Sequence, residues 1–547
     1  MQLFLAFFVS LSITALLIPL LERMAPAIGL NDAPGPRKVH STPVPRVGGI
    51  AMALGILAAV LIGTDLGDSM GGVLAGMLVL LSFGVWDDRT ELDYRVKFIG
   101  QILAVGVCLA ISDVRIESIT LDLRYPLPDA LSLFLTATFL IGVTNAVNLA
   151  DGLDGLAGGM ALLCCCGIAL LALSGGDLSI VAIALIIAGA ILGFLRYNTH
   201  PARVFMGDAG SQLLGFATGV LAISATQGEA TAVSAALPLL LIGVPILDTL
   251  SVMWIRMRAG RSPFAADRNH LHHRLLALGF RHGEAVFAVY LLQAGFFLLA
   301  YFMRFESDLA ILLAYVGMAA TALSGLSIAN RMGWRARDGQ HRAGIAVWAD
   351  RLRQSRLQRR LPEAAGFVAL VGMSAYALGV VLTAPGANGD IAWLAAAMLL
   401  LLGVAVLGGQ RLAALPLDRA VAYTAVVTIV YLDQLREQPL ELFEGQNWAL
   451  LVLAALAMIV RTSSGPGSRF RATTLDGLVL FLAVVVPQLP GPLQFADAFG
   501  DGLSKAVILL YSVELWLACT EQRRAGGFLL AAVLAIVMVR TLPAVQL

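Results

Sequence analysis

The sequence predicts an all-α polytopic integral membrane protein, and three observations carry that prediction. Of the 547 residues, 59% are hydrophobic and 13% charged, against roughly 45–50% and 25% in an average soluble domain. The apolar residues fall in uninterrupted runs such as 3–21 and 231–247, about as long as a helix needs to cross a bilayer core. The basic residues fall almost wholly on alternate loops between those runs. Together these features exclude a soluble enzyme, a disordered chain and a nucleic-acid-binding protein.

Apolar runs separated by charged or Pro/Gly-rich breaks place helices near 3–21, 48–63, 70–85, 98–111, 131–147, 156–173, 178–195, 210–225, 232–252, 284–303 and 309–328. The first run has no basic segment before it and no small-residue cleavage site after it, so it is a membrane helix rather than a signal peptide. Eleven spans therefore fill residues 1–330. A basic linker follows at 331–362, then six or seven further spans with shorter apolar runs in 363–547. The charged patches of that last region, Asp433 to Glu444, Arg461 to Arg471 and Glu521 to Arg524, are expected to be solvated loops. All five cysteines (Cys108, Cys164, Cys165, Cys166, Cys519) lie inside apolar runs without metal-ligand spacing, as small apolar filler does.

The loops 22–47, 86–97, 145–155, 196–209, 253–283 and 329–362 carry 24 Lys and Arg; the opposite set carries 3. Cytoplasmic loops hold the basic excess, which puts the first set inside and the N-terminus outside.

The polar signatures fall in five loops, all of them in the basic set. The first, 31–51, is stiffened by prolines and offers Arg37, Lys38, His40 and Arg46 as cationic donors. In the second, Asp87 and Asp88 stand side by side at a helix end. Adjacent carboxylates near a membrane repel one another, and a divalent cation or a cationic substrate group relieves that repulsion. The third, NAVNLADGLDGLAGG (145–159), repeats a polar residue every three positions: Asn145, Asn148, Asp151 and Asp154. Amides suit a nucleobase or sugar hydroxyl, and carboxylates suit a metal or a uracil-type N–H. The fourth, RYNTHPARVFMGDAGSQLLG (196–215), sets Asp208 in a turn that opens the next helix, with Phe205 just before it. Free amides at a helix N-terminus suit phosphate, and a lone Asp there suits Mg²⁺. The fifth, 266–280, gathers His270, His272 and His273 between Arg268 and Arg274. Without a Cys or HExxH companion this cluster fits pyrophosphate donors better than a zinc site. Hard oxygen ligands, cations and amides on one membrane face are the ingredients of metal-assisted phosphoryl transfer from a nucleotide.

DAPGPRKVHSTPVPRVGG, the Asp87–Asp88 pair, NAVNLADGLDGLAGG, FMGDAGS and HLHHR resemble the signature loops of the polyprenyl-phosphate N-acetylhexosamine-1-phosphate transferases (glycosyltransferase family 4). The resemblance covers residues 1–330 and implies a bacterial inner-membrane enzyme with its active site on the cytoplasmic face. It implies that undecaprenyl phosphate attacks the β-phosphorus of a UDP-N-acetylhexosamine, releasing UMP, with Mg²⁺ or Mn²⁺ as cofactor and a homodimer as candidate assembly. Carried over by motif, Asp208 and Asp88 would be metal ligands, and Asp87, Asp88 and Asp208 catalytic. Asn148, Asp151 and Asp154 would hold the nucleotide, Phe205 would stack near uracil, and Lys38, His270, His272, His273 and Arg274 would contact diphosphate or sugar. The HLHHR form is similar to the branch that starts O-antigen, enterobacterial common antigen and teichoic-linkage synthesis. The phospho-MurNAc-pentapeptide transferases of peptidoglycan synthesis are the second reading. An ion-coupled transporter is the alternative from another class, disfavoured because the acids sit at helix ends and no motif repeats between halves.

Overall fold

A computed structural model describes residues 2–32, 43–61, 70–227, 233–262, 269–336, 357–383, 395–396, 398–400, 417–434, 473–485, 495–518, 531–532 and 534–538. The chain divides into two compact units at residue 338, within the basic stretch. Among the described residues, ten helices are long and apolar enough to cross a membrane, nine of them in the first unit.

In the first unit, among the described residues, each of the eleven predicted runs contains helix, that of 232–252 only from Pro238 onward. The helices are α1 (Gln2–Ile28), α2 (Gly48–Leu61), α3 (Met70–Thr90), α4 (Tyr94–Ile111), α5 (Asp129–Ala150), α6 (Leu156–Gly175), α7 (Leu178–Asn198) and α8 (Gly207–Gln227). They continue as α9 (Pro238–Leu241), α10 (Gly243–Arg258), α11 (Leu271–Ala277), α12 (His282–Phe302) and α13 (Asp308–Arg331). α7 and α8 run through the middle of the bundle, buried over 83% and 94% of their most apolar stretch, whereas α13 is buried over 17% and lies at the periphery.

One of the predicted spans differs from a simple crossing helix. The run 232–252 is not one helix but breaks at Ile242 into α9 and α10. Pro245 explains the break: it has no N–H, and its ring clashes with the carbonyl four residues earlier, that of Leu241. In an apolar surround the freed groups need partners, and fully buried Gln293 of α12 supplies them. Its Nε2 donates to the Leu241 carbonyl at 2.7 Å and its Oε1 accepts the Val244 N–H at 3.0 Å. Cys164 Sγ also donates to Leu241 O, at 3.0 Å.

The C-terminal ends of α1, α3, α5 and α7 and the N-terminal ends of α2, α4, α6 and α8 gather at one end of the bundle. A small hairpin, β1 (Asn31–Asp32) against β2 (Val44–Pro45), is at this end too. The opposite end carries a second hairpin, β3 (Ser118–Thr120) with β4 (Arg124–Pro126). Gln227, at the end of α8, accepts the Glu117 and Ser118 N–H groups, and Asp308, at the start of α13, accepts the Thr120 N–H at 2.6 Å. This two-ended arrangement is what alternating antiparallel spans produce.

In the second unit the described helices are α14 (Leu357–Thr383), α15 (Leu417–Gln434), α16 (Thr474–Val485) and α17 (Phe495–Ala518). Asp433, expected in a solvated loop, is instead buried at the end of α15, where the Lys505 ammonium pairs with it at 2.8 Å. A charge leaves water at low cost only with such a partner. Residues 435–444, 461–471 and 521–524, the rest of the expected loop charges, lie outside the described residues.

Gln293→Leu should leave the Val244 N–H and one donor to Leu241 O unmade in a dry site, at a cost of about 1–3 kcal/mol per group. Thermal unfolding of the detergent-purified protein is expected to fall by several degrees. An unchanged melting temperature would mean that the break at Ile242 does not rely on this side chain.

Candidate active site

The site is built around the first turn of α8. Helix N-termini leave their first amides without intrahelical partners. Here the carboxylate of Asp88, near the end of α3, supplies them: its Oδ1 accepts the Asp208 N–H at 2.9 Å and its Oδ2 the Ala209 N–H at 3.1 Å. A side chain from a distant helix thus caps α8 and fixes where Asp208 emerges. Gly207 allows this approach. Its φ is +69°, and a Cβ there would stand 2.2 Å from Asp88 Oδ2. Gly49, at the start of α2, makes a matching approach on the other side, since a Cβ would meet the Gly210 nitrogen at 2.4 Å.

Asp87 and Asp208 meet across a lysine. Lys97, in the first turn of α4, holds its ammonium 2.5 Å from Asp87 Oδ2 and 2.7 Å from Asp208 Oδ2. The other Asp87 oxygen accepts the Leu92 N–H at 2.7 Å. Asp87 and Asp88 are almost fully buried, while the Asp208 side chain is 30% exposed and opens the cluster to its surroundings. Arg46, from the first loop, pairs with Asp32 and stands 3.9 Å from Asp88 Oδ1.

The polar stripe of 145–154 separates into different tasks because α5 ends at Ala150 and the three-residue period no longer shares one face. Asn145 exchanges hydrogen bonds with Gln101 (2.7 and 3.2 Å), which also reaches Gln212. Asn148 is half-buried on the last turn of α5. Asp151 follows the helix, and its carboxyl is pushed up to about 7 by burial first and then by the fields of Asp208, Asp88 and Asp154. Burial disfavours the charged form, and the neighbouring carboxylates act in the same direction. Asp154 turns its Oδ2 to His200 Nδ1 at 2.7 Å and to the Ala202 N–H at 3.1 Å. Burial raises its carboxyl, but these hydrogen bonds outweigh it and hold the group below the usual carboxylate range.

The histidines of the fifth loop do not act as three equivalent cations. His270 is buried and its Nδ1 pairs with Asp248 Oδ2 at 2.8 Å, while Asp248 Oδ1 accepts the Leu271 N–H at 2.6 Å. This fastens α11 to α10 and makes His270 an anchor. His272 is buried against Gly152, where a Cβ would meet its Nε2 at 2.3 Å. Burial first, then His273, lower its pKa to about 4, so at neutral pH it is an uncharged hydrogen-bonding group. His273 lies 4.3 Å from it, ring to ring. Arg274 is half-buried on the same short helix, its pKa lowered by burial. Phe205 holds the first loop to α8 through its backbone, donating to Pro45 O and accepting from Gly48 N, with its ring half-buried. Lys38 and Arg268, with Arg37 and His40, lie outside the described residues.

The structure therefore joins Asp87, Asp88 and Asp208, with Asp151 inside their field. Sequence reasoning did not single out Lys97, Gln101, Asp248, His200 or His282. Asp248 had a readable signal, a lone carboxylate inside the apolar run 232–252, as a buried intramembrane acid is seldom idle. Lys97 had a weaker one, a lone ammonium at the foot of an apolar helix.

Gly207→Ala should displace Asp88 from the α8 amides and force an unfavourable φ, a strain of about 1–2 kcal/mol before any clash. Transferase turnover is expected to fall at least tenfold with the protein still folded. Gly71→Ala, where an added Cβ meets nothing within 4 Å, should leave it unchanged. Equal activity in the two variants would contradict the Asp88–α8 contact.

With this geometry in view, comparison with known proteins is informative. The family model described as glycosyl transferase family 4 matches residues 70–226, the stretch that supplies Asp87, Asp88, Lys97, Asp151, Asp154 and Asp208. A probable undecaprenyl-phosphate N-acetylglucosaminyl 1-phosphate transferase of Bacillus subtilis is 37% identical over 292 residues, covering 52% of this chain and 81% of the Bacillus protein. The decaprenyl-phosphate N-acetylglucosaminephosphotransferase of Mycobacterium tuberculosis is 38% identical over 305 residues, covering 49% and 74%. The undecaprenyl-phosphate alpha-N-acetylglucosaminyl 1-phosphate transferase of Yersinia pestis is 31% identical over 280 residues, covering 50% and 76%. None of these names a phospho-MurNAc-pentapeptide transferase or a transporter. The chain belongs to glycosyl transferase family 4, as a polytopic membrane phosphotransferase of the polyprenyl-phosphate N-acetylglucosaminyl-1-phosphate transferase kind.

Proposed function

We propose that this chain moves N-acetylglucosamine 1-phosphate from its UDP-sugar to a polyprenyl phosphate, undecaprenyl phosphate in the first instance, and releases UMP. The observation that carries the reading is the convergence of Asp87 and Asp208 on one ammonium at the bundle end where the N-termini of α2, α4, α6 and α8 meet. Those N-termini carry partial positive charge, which favours phosphate groups. A phosphate monoester is largely dianionic at neutral pH, so its attacking oxygen is already ionised. That oxygen bonds to the β-phosphorus of the nucleotide sugar as the bond to the α–β bridging oxygen breaks, and UMP leaves. The barrier is the approach of two anions, and the site answers it with charge and position.

The donor set fits a hard divalent cation: the carboxylate oxygens of Asp87 and Asp208 already enclose a cationic group. Asp208 and Asp87 would hold Mg²⁺ or Mn²⁺, which supplies charge neutralisation to the diphosphate. Asp88, grouped with the ligands by sequence, serves in our reading as the clamp that sets Asp208. Lys97, whose ammonium bridges Asp87 and Asp208, would donate to a phosphate oxygen. Asn148 and Asp151 face the nucleotide, Phe205 stacks near uracil, and His272, His273 and Arg274 donate to the diphosphate or sugar. Lys97 and Gln101 complete the wall from α4. The Lys/Arg excess of these loops supports a cytoplasmic position for this end of the bundle at a bacterial inner membrane, where UDP-sugars are made. The step is then the first membrane reaction of an envelope polysaccharide.

Purified protein should release UMP from UDP-N-acetylglucosamine in the presence of undecaprenyl phosphate and Mg²⁺, and much less from UDP-MurNAc-pentapeptide. Asp208→Asn is expected to lower this rate on the order of 10²–10³-fold, with an unchanged elution profile. Full turnover after chelation, or in the Asp208→Asn protein, would overturn the metal assignment. Preference for the pentapeptide donor would overturn the substrate.

A further inference from the structure

α4 brings Lys97 to the cage without packing closely on α8. Its backbone lies against α3 and α5, and α8 is seated on those same two helices. That seat is tight: a Cβ on Gly84 of α3 would stand 2.3 Å from Ala209 Cα, and one on Gly215 of α8 would stand 2.8 Å from Thr144 Cα on α5. Among the described residues, the hydrogen bonds between α4 and α8 are made by long side chains at two levels. Lys97 meets Asp208 at 2.7 Å, and Gln101 meets Gln212 at 3.2 Å. Gln101 follows Lys97 by four residues and Gln212 follows Asp208 by four. Each amide therefore lies one turn, about 6 Å, deeper in its helix on the same face.

The direction of the amides in this lower level is fixed from one end. The Ile141 carbonyl can only accept, and it takes Asn145 Nδ2 at 2.8 Å. Asn145 Nδ2 also donates to Gln101 Oε1 at 2.7 Å. Gln101 Nε2 is then left to donate to Asn145 Oδ1 and to Gln212 Oε1, both at 3.2 Å. Gln101 and Gln212 are 3% and 2% exposed. Buried amides joined in this way hold one arrangement, because turning any of them sets donor against donor or acceptor against acceptor in a dry site.

We propose that Gln101 and Gln212 are positioning residues for the transfer: their hydrogen bond is a neutral rung that keeps α4 at a fixed distance and register from α8, with Asn145 bracing it from α5. The inference rests on reading the Asp87–Asp208 cage as the catalytic site. In that reaction the upper rung shares its carboxylate with a divalent ion and its ammonium with a phosphate oxygen, so its strength changes with each arrival. The lower rung carries no net charge, and the same arrivals act on it only through its dipoles. Without it, the spacing of α4 and α8 would be set by the ion pair that the reaction disturbs. Displacing a catalytic group by about 1 Å can cost about 10²-fold in rate, and Lys97 sits one turn above this rung.

The test uses Gln101→Leu and Gln212→Leu in the full-length protein, each alone and combined with Lys97→Met, with UMP release and Mn²⁺ binding as readouts. Leu has a similar volume and makes no hydrogen bond. Wild-type turnover checks the catalytic reading: no UMP release by the wild-type protein would overturn that reading and this inference with it. With an active wild type, each Leu variant should bind one Mn²⁺ per chain, because the cage acids come from α3 and α8. Turnover per bound ion should nevertheless fall about ten- to a hundredfold, with KM for UDP-N-acetylglucosamine changed less than about twofold. In the slow Lys97→Met background the same substitutions should cost less than about twofold more, since they act through that ammonium. Undiminished turnover in both Leu variants of an active enzyme would overturn the inference alone. So would a rate loss matched by an equal loss of Mn²⁺ sites, which marks a rung that serves only the fold, or the full loss repeated in the Lys97→Met background.

Discussion

The two hydrogen bonds from the α8 amides to the Asp88 carboxylate are the contact on which the rest of the site depends. α8 is the most deeply buried helix of the bundle, and its first amides cannot turn to bulk water for partners. A carboxylate is the strongest acceptor for them and also complements the helix dipole. By meeting that need from α3, the chain fixes two helices, end against side, at the position where Asp208 leaves the backbone. Asp87, the next residue of α3, is thereby carried to the opposite wall of the cage, and Lys97 from α4 closes it. The neighbouring acids have separate contacts: Asp88 caps the α8 backbone and Asp87 pairs with Lys97.

A second constraint follows from where the helices begin. Four N-termini at one end of the bundle create a field that welcomes anions, and the chain fills that end with acids. These two facts are in tension until cations enter. Lys97 and Arg46 offset part of the acidity, and Asp151, whose carboxyl is raised by burial first and then by Asp208, Asp88 and Asp154, stands within the remaining field. In the proposed reaction such a site would hold a divalent ion and phosphate groups together. That is the requirement of phosphoryl transfer between a lipid phosphate and a nucleotide diphosphate.

Much of this was legible in the sequence, for identifiable reasons. Long apolar runs gave the helices because length and hydropathy act locally, and the basic loops gave their alternation. The acids Asp87, Asp88 and Asp208 stood out because charge is rare in such a chain. Other features required tertiary information. The break at Ile242 depends on Pro245, visible in sequence, but its repair by Gln293 depends on how α12 crosses α10. The period of Asn145, Asn148, Asp151 and Asp154 looked like one stripe, and the end of α5 at Ala150 sends its members to different partners. His270 read as a substrate contact, and its Nδ1 pairing with Asp248 was not legible because the partner lies on α10. Asp433 read as a loop charge because nothing near it in sequence announces Lys505, 72 residues away.

The most direct measurement is electron paramagnetic resonance of Mn²⁺ added to the purified protein with a UDP-sugar present. If Asp208 and Asp87 enclose the cation, one Mn²⁺ per chain should lose its aqueous signal in the wild-type protein, and that bound ion should be absent from the Asp208→Asn and Asp87→Asn proteins. Stoichiometric Mn²⁺ retained by both variants would contradict the acid cage.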